Sequence, residues 1–190
     1  SYRLITTNTF GCTRSKLDRL GLGDQVQNWN RKAAALARAA AGPEGWVFGD
    51  VGLFGDFLEP LGDTTEDQLL GIFSEQIGAL VEGGADAILV ETMSDPGEAA
   101  VGVRAAKSVS GLPVIVTFAF QKSADGFRTM MGTSARDAIT AALEAGADIA
   151  GANCGTDLSL DDYVALAAEL KAAAGPSPVI LTPNAGAPKS

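Results

Sequence analysis

The 190-residue sequence contains no histidine. Without imidazole, Ser-His-Asp and Cys-His machinery is excluded, and a general base must be Asp, Glu, Lys, Tyr or a metal-bound group. Cysteine is nearly as scarce. Cys12 and Cys154 are the only two, which is no disulfide framework. Lysine and arginine together number 14 against 23 aspartates and glutamates, a formal net charge of −9. Phosphate binding needs clustered cations, so a nucleic-acid partner is not expected, and solubility is the ordinary consequence of such a charge. No apolar run approaches the roughly 18 residues of a membrane span. The start, Ser1-Tyr2-Arg3-Leu4-Ile5, lacks the order of a secretory signal. These absences point to the cytoplasm, with no membrane partner.

What is present is an alternation of apolar β-type runs with amphipathic helical ones. The strand candidates are Leu4–Phe10, Trp46–Val51, Ala87–Met93, Val114–Phe120, Ile149–Cys154 and Val179–Thr182. They are near-continuous in Val, Ile, Leu and Ala, as strands covered on both faces are. Helices are expected over Asp24–Ala41, Thr65–Glu82, Pro96–Ser108, Ala135–Ala145 and Leu160–Ala173. In the second, Leu69, Ile72, Phe73, Ile77 and Leu80 recur at helical spacing. Asp95-Pro96-Gly97-Glu98 carries an N-cap, a first-turn proline and a capping carboxylate, and Thr65, Ser134 and Ser159 start helices in similar fashion. "GGADAILVE" (83–91) and "AGADIAGAN" (145–153) echo one another as a Gly-Ala-Asp turn from helix into strand.

Strands joined by helical crossovers predict one α/β domain over residues 1–190 with a parallel sheet. An open doubly wound sheet carries a glycine-rich phosphate loop after its first strand, and Gly11-Cys12-Thr13-Arg14 is none. Polar residues instead gather at strand C-termini: Thr7-Asn8-Thr9, Asp50, Glu91-Thr92, Thr117, Asn153-Cys154 and Pro183-Asn184. That distribution suits a TIM (βα)₈ barrel, whose site lies at this rim. About six βα units are present, so the barrel is expected to be incomplete.

Cys154 is the first candidate for chemistry. It is either a small residue packed at a strand end or a thiol that a metal would have to activate, since no histidine can. Glu91, closing "DAILVE", is either solvated at the rim or holds a cation such as a substrate ammonium. Thr7 and its neighbours either satisfy backbone groups or line a site. Cys12 reads as a loop thiol. Lys122, able in principle to form a Schiff base, stands in "QKSADGF", which reads as a solvated loop.

Five segments together resemble a known family: "TTNTFGCTRSKL" (6–17), "SEQIGALVEGGADAILVETMSDPGEA" (74–99), "TFAF…GFRTMMGTS" (117–134), "GADIAGANCG" (146–155) and "TPNAGAPK" (182–189). They are similar, almost end to end and in order, to the homocysteine S-methyltransferase domain. That zinc-dependent domain occurs in cobalamin-dependent methionine synthase and in betaine– and S-methylmethionine–homocysteine methyltransferases. The resemblance implies a (βα)₈ barrel with zinc at its mouth, holding homocysteine as a thiolate that takes a methyl group to give methionine. It implies that Cys154 is one zinc ligand, that Glu91 binds the homocysteine amino group, that Thr7 contacts the substrate's polar end, and that Asn153 sits beside the metal. The methyl donor stays open among methylcobalamin, betaine and S-methylmethionine. A cobalamin donor would require a separate domain or corrinoid protein.

The family's other two zinc ligands lie in a Gly-Gly-Cys-Cys-Gly motif on the last strand, and its first strand carries an Asp-Gly motif. Residues 1–190 contain no adjacent cysteines, and their Asp-Gly pair, Asp125-Gly126, lies after the fourth strand candidate rather than on a first strand. The expectation is a fragment lacking the first and last strands, inactive alone, with two sheet edges that favour self-association into a homo-oligomer. Two other readings stand: a metal-independent barrel lyase using Lys122 with Glu91 as base, and a non-catalytic binding protein of barrel ancestry.

Overall fold

A computed structural model describes residues 4–155 and 157–184. The six apolar runs become six parallel strands: β1 (Leu4–Thr6), β2 (Trp46–Val51), β3 (Ala87–Met93), β4 (Val114–Phe118), β7 (Ile149–Asn153) and β8 (Val179–Thr182). They lie in the order β1-β2-β3-β4-β7-β8, each strand beside its predecessor in the sheet. Among the described residues β1 and β8 each pair on one side only, so the fold is the expected incomplete barrel. Helices α1 (Arg14–Asp18), α2 (Val26–Ala41), α3 (Glu66–Glu82), α4 (Pro96–Val109), α5 (Ala135–Glu144) and α6 (Leu160–Ala174) make the connections. None of them is long and apolar enough to cross a membrane.

The two faces of the sheet follow the strand period of two. Ile88, Val90, Val114 and Val116 point outward into the main core, where the α3 stripe of Leu69, Phe73, Ile77 and Leu80 is fully buried. Ala87, Leu89 and Ile115 point the other way and pack with Phe48, Ile149 and Ile180 inside the curve of the sheet. Apolar residues on both faces account for the unbroken runs in the sequence.

The helix starts are capped as their residues demand. Thr65 and Ser159 form full capping boxes with Gln68 and Asp162, while Ser134 and Asp95 each accept a first-turn N–H. Such caps contribute about 1 kcal/mol each. The repeated Gly-Ala-Asp turn is one device used twice. Gly84 (φ +99°) and Gly146 (φ +104°) take the left-handed conformation that a side chain would resist. The next aspartate then reaches back to the preceding strand: Asp86 accepts the Val47 N–H at 2.7 Å, and Asp148 accepts the Val114 N–H at 2.8 Å. A cation from the helix that leads into that strand closes each, Arg38 of α2 on Asp86 and Lys107 of α4 on Asp148.

Most element ends fall within two residues of expectation, and three departures have a physical cause. The first strand ends at Thr6 rather than Phe10, because the Thr7 and Thr9 hydroxyls and the Thr9 carbonyl are drawn into a turn that leads to α1. The fourth ends at Phe118; Phe120 is buried beside it, ring centroids 6.0 Å apart, so its apolarity serves the core. The segment around Lys122 is a hairpin, β5 (Gln121–Ser123) with β6 (Gly126–Arg128), turned by Gly126 at φ +112°.

Candidate functional site

Counting one step of two residues along the inner face from Phe48, Leu89, Ile115 and Gly151 reaches Asp50, Glu91, Thr117 and Asn153. These four polar side chains form the last inward layer at the strand C-termini. Two hydrogen-bonded groups flank them.

On the β1–β2 side, the Asp50 N–H donates to Thr7 Oγ1 at 2.9 Å, and the Thr9 hydroxyl donates to the Asp50 carbonyl at 2.7 Å. The Thr9 proton being used, the 2.7 Å contact between the two hydroxyls has Thr7 as donor. Thr7 therefore keeps only a lone pair to offer. Below this ring, Gln76 Nε2 donates to the Thr9 carbonyl at 2.8 Å and to Asn30 Oδ1 at 3.2 Å, and Asn30 donates to the Cys12 and Val26 carbonyls. A chain of buried amides thus ties the turn after β1 to α2 and α3.

On the β3–β7 side, Asn153 Nδ2 donates to Thr92 Oγ1 at 2.6 Å and lies 3.3 Å from Cys154 Sγ. Thr92 sits where the β3–β4 register shifts, with φ +61°, and its N–H donates to Thr117 Oγ1. Cys154 also has a positive φ, +52°; its N–H donates to the Thr182 carbonyl, and the Tyr163 hydroxyl donates to its own carbonyl. Left-handed non-glycine residues cost of order 1–3 kcal/mol each and persist where neighbours hold them. The neighbours here are those hydrogen bonds.

The electrostatics are those of a partly dry, acidic rim. Asp50 is 3% exposed; burial, and next the negative charge of Glu91, push its carboxyl up to about 8, with Lys16 opposing. Burial also raises half-buried Glu91. Lys16, from α1, is lowered by burial against the pull of Glu98 and Asp50, and its ammonium stands 5.1 Å from the Phe10 ring centroid. Asp50 Oδ1 and Asn153 Oδ1 are buried with no hydrogen-bond partner among the described residues.

Cys154, Asn153, Glu91 and Thr7 therefore all come to the strand C-termini, and Asn153 touches Cys154. Cys154 is a free, half-buried sulfur, the soft donor that zinc prefers. Zinc sites take three or four protein ligands. Among the described residues no group of three or more His, Cys, Asp or Glu is placed to hold a metal. The residues fit one corner of a zinc sphere and do not complete it.

Cys12 is a half-buried loop thiol whose pKa is raised by burial. Lys122 stands in β5, ion-paired with Asp162 at 2.5 Å, its side chain 65% exposed. In the "TPNAGAPK" segment Pro183 and Asn184 are exposed, and residues 185–189 lie outside the described residues. Asp50 and Thr92 enter the sequence analysis only as polar residues at strand C-termini, and Tyr163 does not enter it. Asp50 carried one signal, its place at a strand C-terminus; Tyr163 lies in a helix that announces nothing.

The homocysteine S-methyltransferase family profile matches residues 2–190. The chain is 33% identical over 161 residues to the methionine synthase of Mycobacterium tuberculosis, covering 80% of this chain and 13% of the relative. It is 30% identical over 164 residues to the methionine synthase of Mycobacterium leprae, with the same coverage. The chain thus spans about an eighth of the length of these curated relatives. Among solved structures, the metallated homocysteine methyltransferase MmuM of Escherichia coli superposes with a TM-score of 0.78 at 20% identity, over 97% of this chain and 67% of that one. A type I 3-dehydroquinate dehydratase from Clostridium difficile superposes with 0.53 at 12% identity, over 95% of this chain and 64% of that one. Both likenesses concern the fold.

Proposed function

The chain belongs to the homocysteine S-methyltransferase family, and from that premise we propose that its mouth binds homocysteine and presents the sulfur to a methyl donor. The observation that carries the reading is Cys154: a free sulfur on a strained turn at the strand C-termini, with the Asn153 amide 3.3 Å away and carboxyls gathered on the neighbouring strands.

Each side chain has work that its chemistry permits. Glu91, half-buried and with no side-chain hydrogen bond among the described residues, receives the substrate ammonium. Thr7, its hydrogen committed to Thr9, can only accept, so it faces the same ammonium rather than the carboxylate. The Asn153 N–H lies against the Cys154 sulfur and fixes its direction, as outer hydrogen bonds do for metal ligands. Cys154 supplies one ligand to zinc, the others coming from the family's Gly-Gly-Cys-Cys-Gly motif. Zinc, when bound, supplies the positive charge that holds a thiol deprotonated near neutral pH, where a free thiol of pKa about 8.5 is mostly protonated. In the transfer itself a bond forms from the substrate sulfur to the methyl carbon as the donor–methyl bond breaks, in line.

The mycobacterial relatives are named methionine synthases, which favours methionine as product. Methylcobalamin on a separate corrinoid domain or protein, betaine and S-methylmethionine all remain open as donors. With one sulfur ligand among the described residues, the isolated segment is inactive in this reading, and the one-sided edges of β1 and β8 favour its self-association. The exposed ion pair of Lys122 gives the lyase reading no support.

The test is zinc content and homocysteine methylation in the full-length protein and its Cys154→Ser form. Loss of both is expected. Unchanged zinc stoichiometry and activity in the variant would remove the proposal.

A further inference from the structure

Asp50 is a carboxyl among the buried side chains left with an unpartnered polar atom in the described residues. It is 97% removed from solvent by its 3% exposure, inward-facing, held through its backbone by Thr7 and Thr9, and its Oδ1 has no partner among the described residues. Leaving a buried acceptor unpaired costs about 1–3 kcal/mol. The charged groups acting on it are Glu91 from β3 and Lys16 from α1. Lys16 covers this corner: its stem lies over Gly55, where an added Cβ would come within 3.2 Å of Lys16 Cε. Its ammonium stands over the Phe10 ring, 5.1 Å from the centroid, rather than on the Asp50 carboxyl.

We propose that Asp50 and Glu91 together form a cation subsite, in which the unpartnered Oδ1 of Asp50 receives the ammonium group of the amino-acid substrate. The inference rests on the homocysteine reading above and adds to it a residue and a proton. With its carboxyl pushed up to about 8, Asp50 is mostly neutral at pH 7. An ammonium between the two carboxyls favours the ionised form of Asp50. Binding is then an exchange: the neutral acid and the cation become a carboxylate–ammonium pair, and one proton leaves for solvent. A substrate without the amine cannot drive the exchange. The pair therefore selects α-amino thiols over plain mercaptans.

The test uses the full-length protein and a product-side ligand with no thiol, so that neither the metal nor a thiol proton enters. L-Methionine and its des-amino analogue 4-(methylsulfanyl)butanoate are titrated by calorimetry in buffers of different ionisation enthalpy. Wild type is expected to prefer methionine by about tenfold or more, the factor that one charged hydrogen bond is worth. It should release up to one proton per methionine at pH 7, a release that fades above pH 8. Asp50→Asn should lose the release and most of the preference, with affinity for the analogue within about twofold. Wild-type binding of methionine without proton release overturns the inference without recourse to any variant. Equal loss for both ligands in Asp50→Asn, or an unchanged ratio, overturns it as well. If methionine does not bind while homocysteine is still methylated, the subsite falls and the methyltransferase reading stands; if neither occurs, both fall.

Discussion

Asn153 and Thr92 are hydrogen-bonded, amide to hydroxyl at 2.6 Å, from strands β7 and β3 that are separated in the sheet by β4. The bond passes over the end of β4 and ties together two backbone kinks, one at Thr92 and one at Cys154. It is what aims the sulfur.

Its strength is measurable by a double-mutant cycle. Thr92→Ala and Asn153→Ala should each destabilise the fold by about 1–3 kcal/mol, with a coupling of about 0.5–3 kcal/mol in urea unfolding. Strictly additive losses would mean that the bond holds nothing.

Asp50 makes stability depend on pH with a definite sign. Its native carboxyl binds a proton up to about pH 8, whereas an unfolded one releases it near 4. The native state holds more protons across that window, so this residue's contribution is fully present below pH 4 and is lost as pH rises through 8. The slope is at most about 1.4 kcal/mol per pH unit for one proton. Asp50→Asn should flatten the pH profile of the denaturation midpoint between pH 5 and pH 8, the range to scan.

Two glycines should respond oppositely to alanine. At Gly151 in β7 an added Cβ would fall 1.8 Å from the Ile180 carbonyl oxygen of the next strand, and backbone cannot step aside. A loss of about 3 kcal/mol or more, or failure to fold, is expected. Gly71 in α3 has open space at that position, and Gly71→Ala should stabilise by about 0.5–1 kcal/mol. Thermal unfolding of the two variants gives both signs.

Lys122→Ala should leave homocysteine methylation by the full-length protein unchanged and stability within about 0.5 kcal/mol, since exposed ion pairs contribute little. Abolished activity would revive the Schiff-base chemistry set aside above.

The architecture was legible because its signals are local and repeated. Unbroken apolar runs, the α3 stripe, caps such as Thr65 with Gln68, and the doubled Gly-Ala-Asp turn each depend on residues close in sequence. Strand ends were less legible: Phe120 and Phe10 look like strand residues because apolarity does not tell core packing from pairing. Cys154, Asn153, Glu91 and Thr7 are singled out in the sequence through position and resemblance. Asp50 was not singled out, since an unpaired carboxyl depends on what stands opposite in space, here Glu91 and Lys16 from distant segments. Thr92 escaped for a similar reason, its partner arriving 61 residues later.

Each strand of the large sheet lies next to the one made just before it, never inserting between two earlier ones. A nascent chain leaving the ribosome can therefore lay down its strands one at a time, each new arrival finding a finished neighbour to dock on. The Cys154 end of β7 is added after β3 and β4 are in place, and β8, whose Thr182 carbonyl takes the Cys154 N–H, closes beside it last.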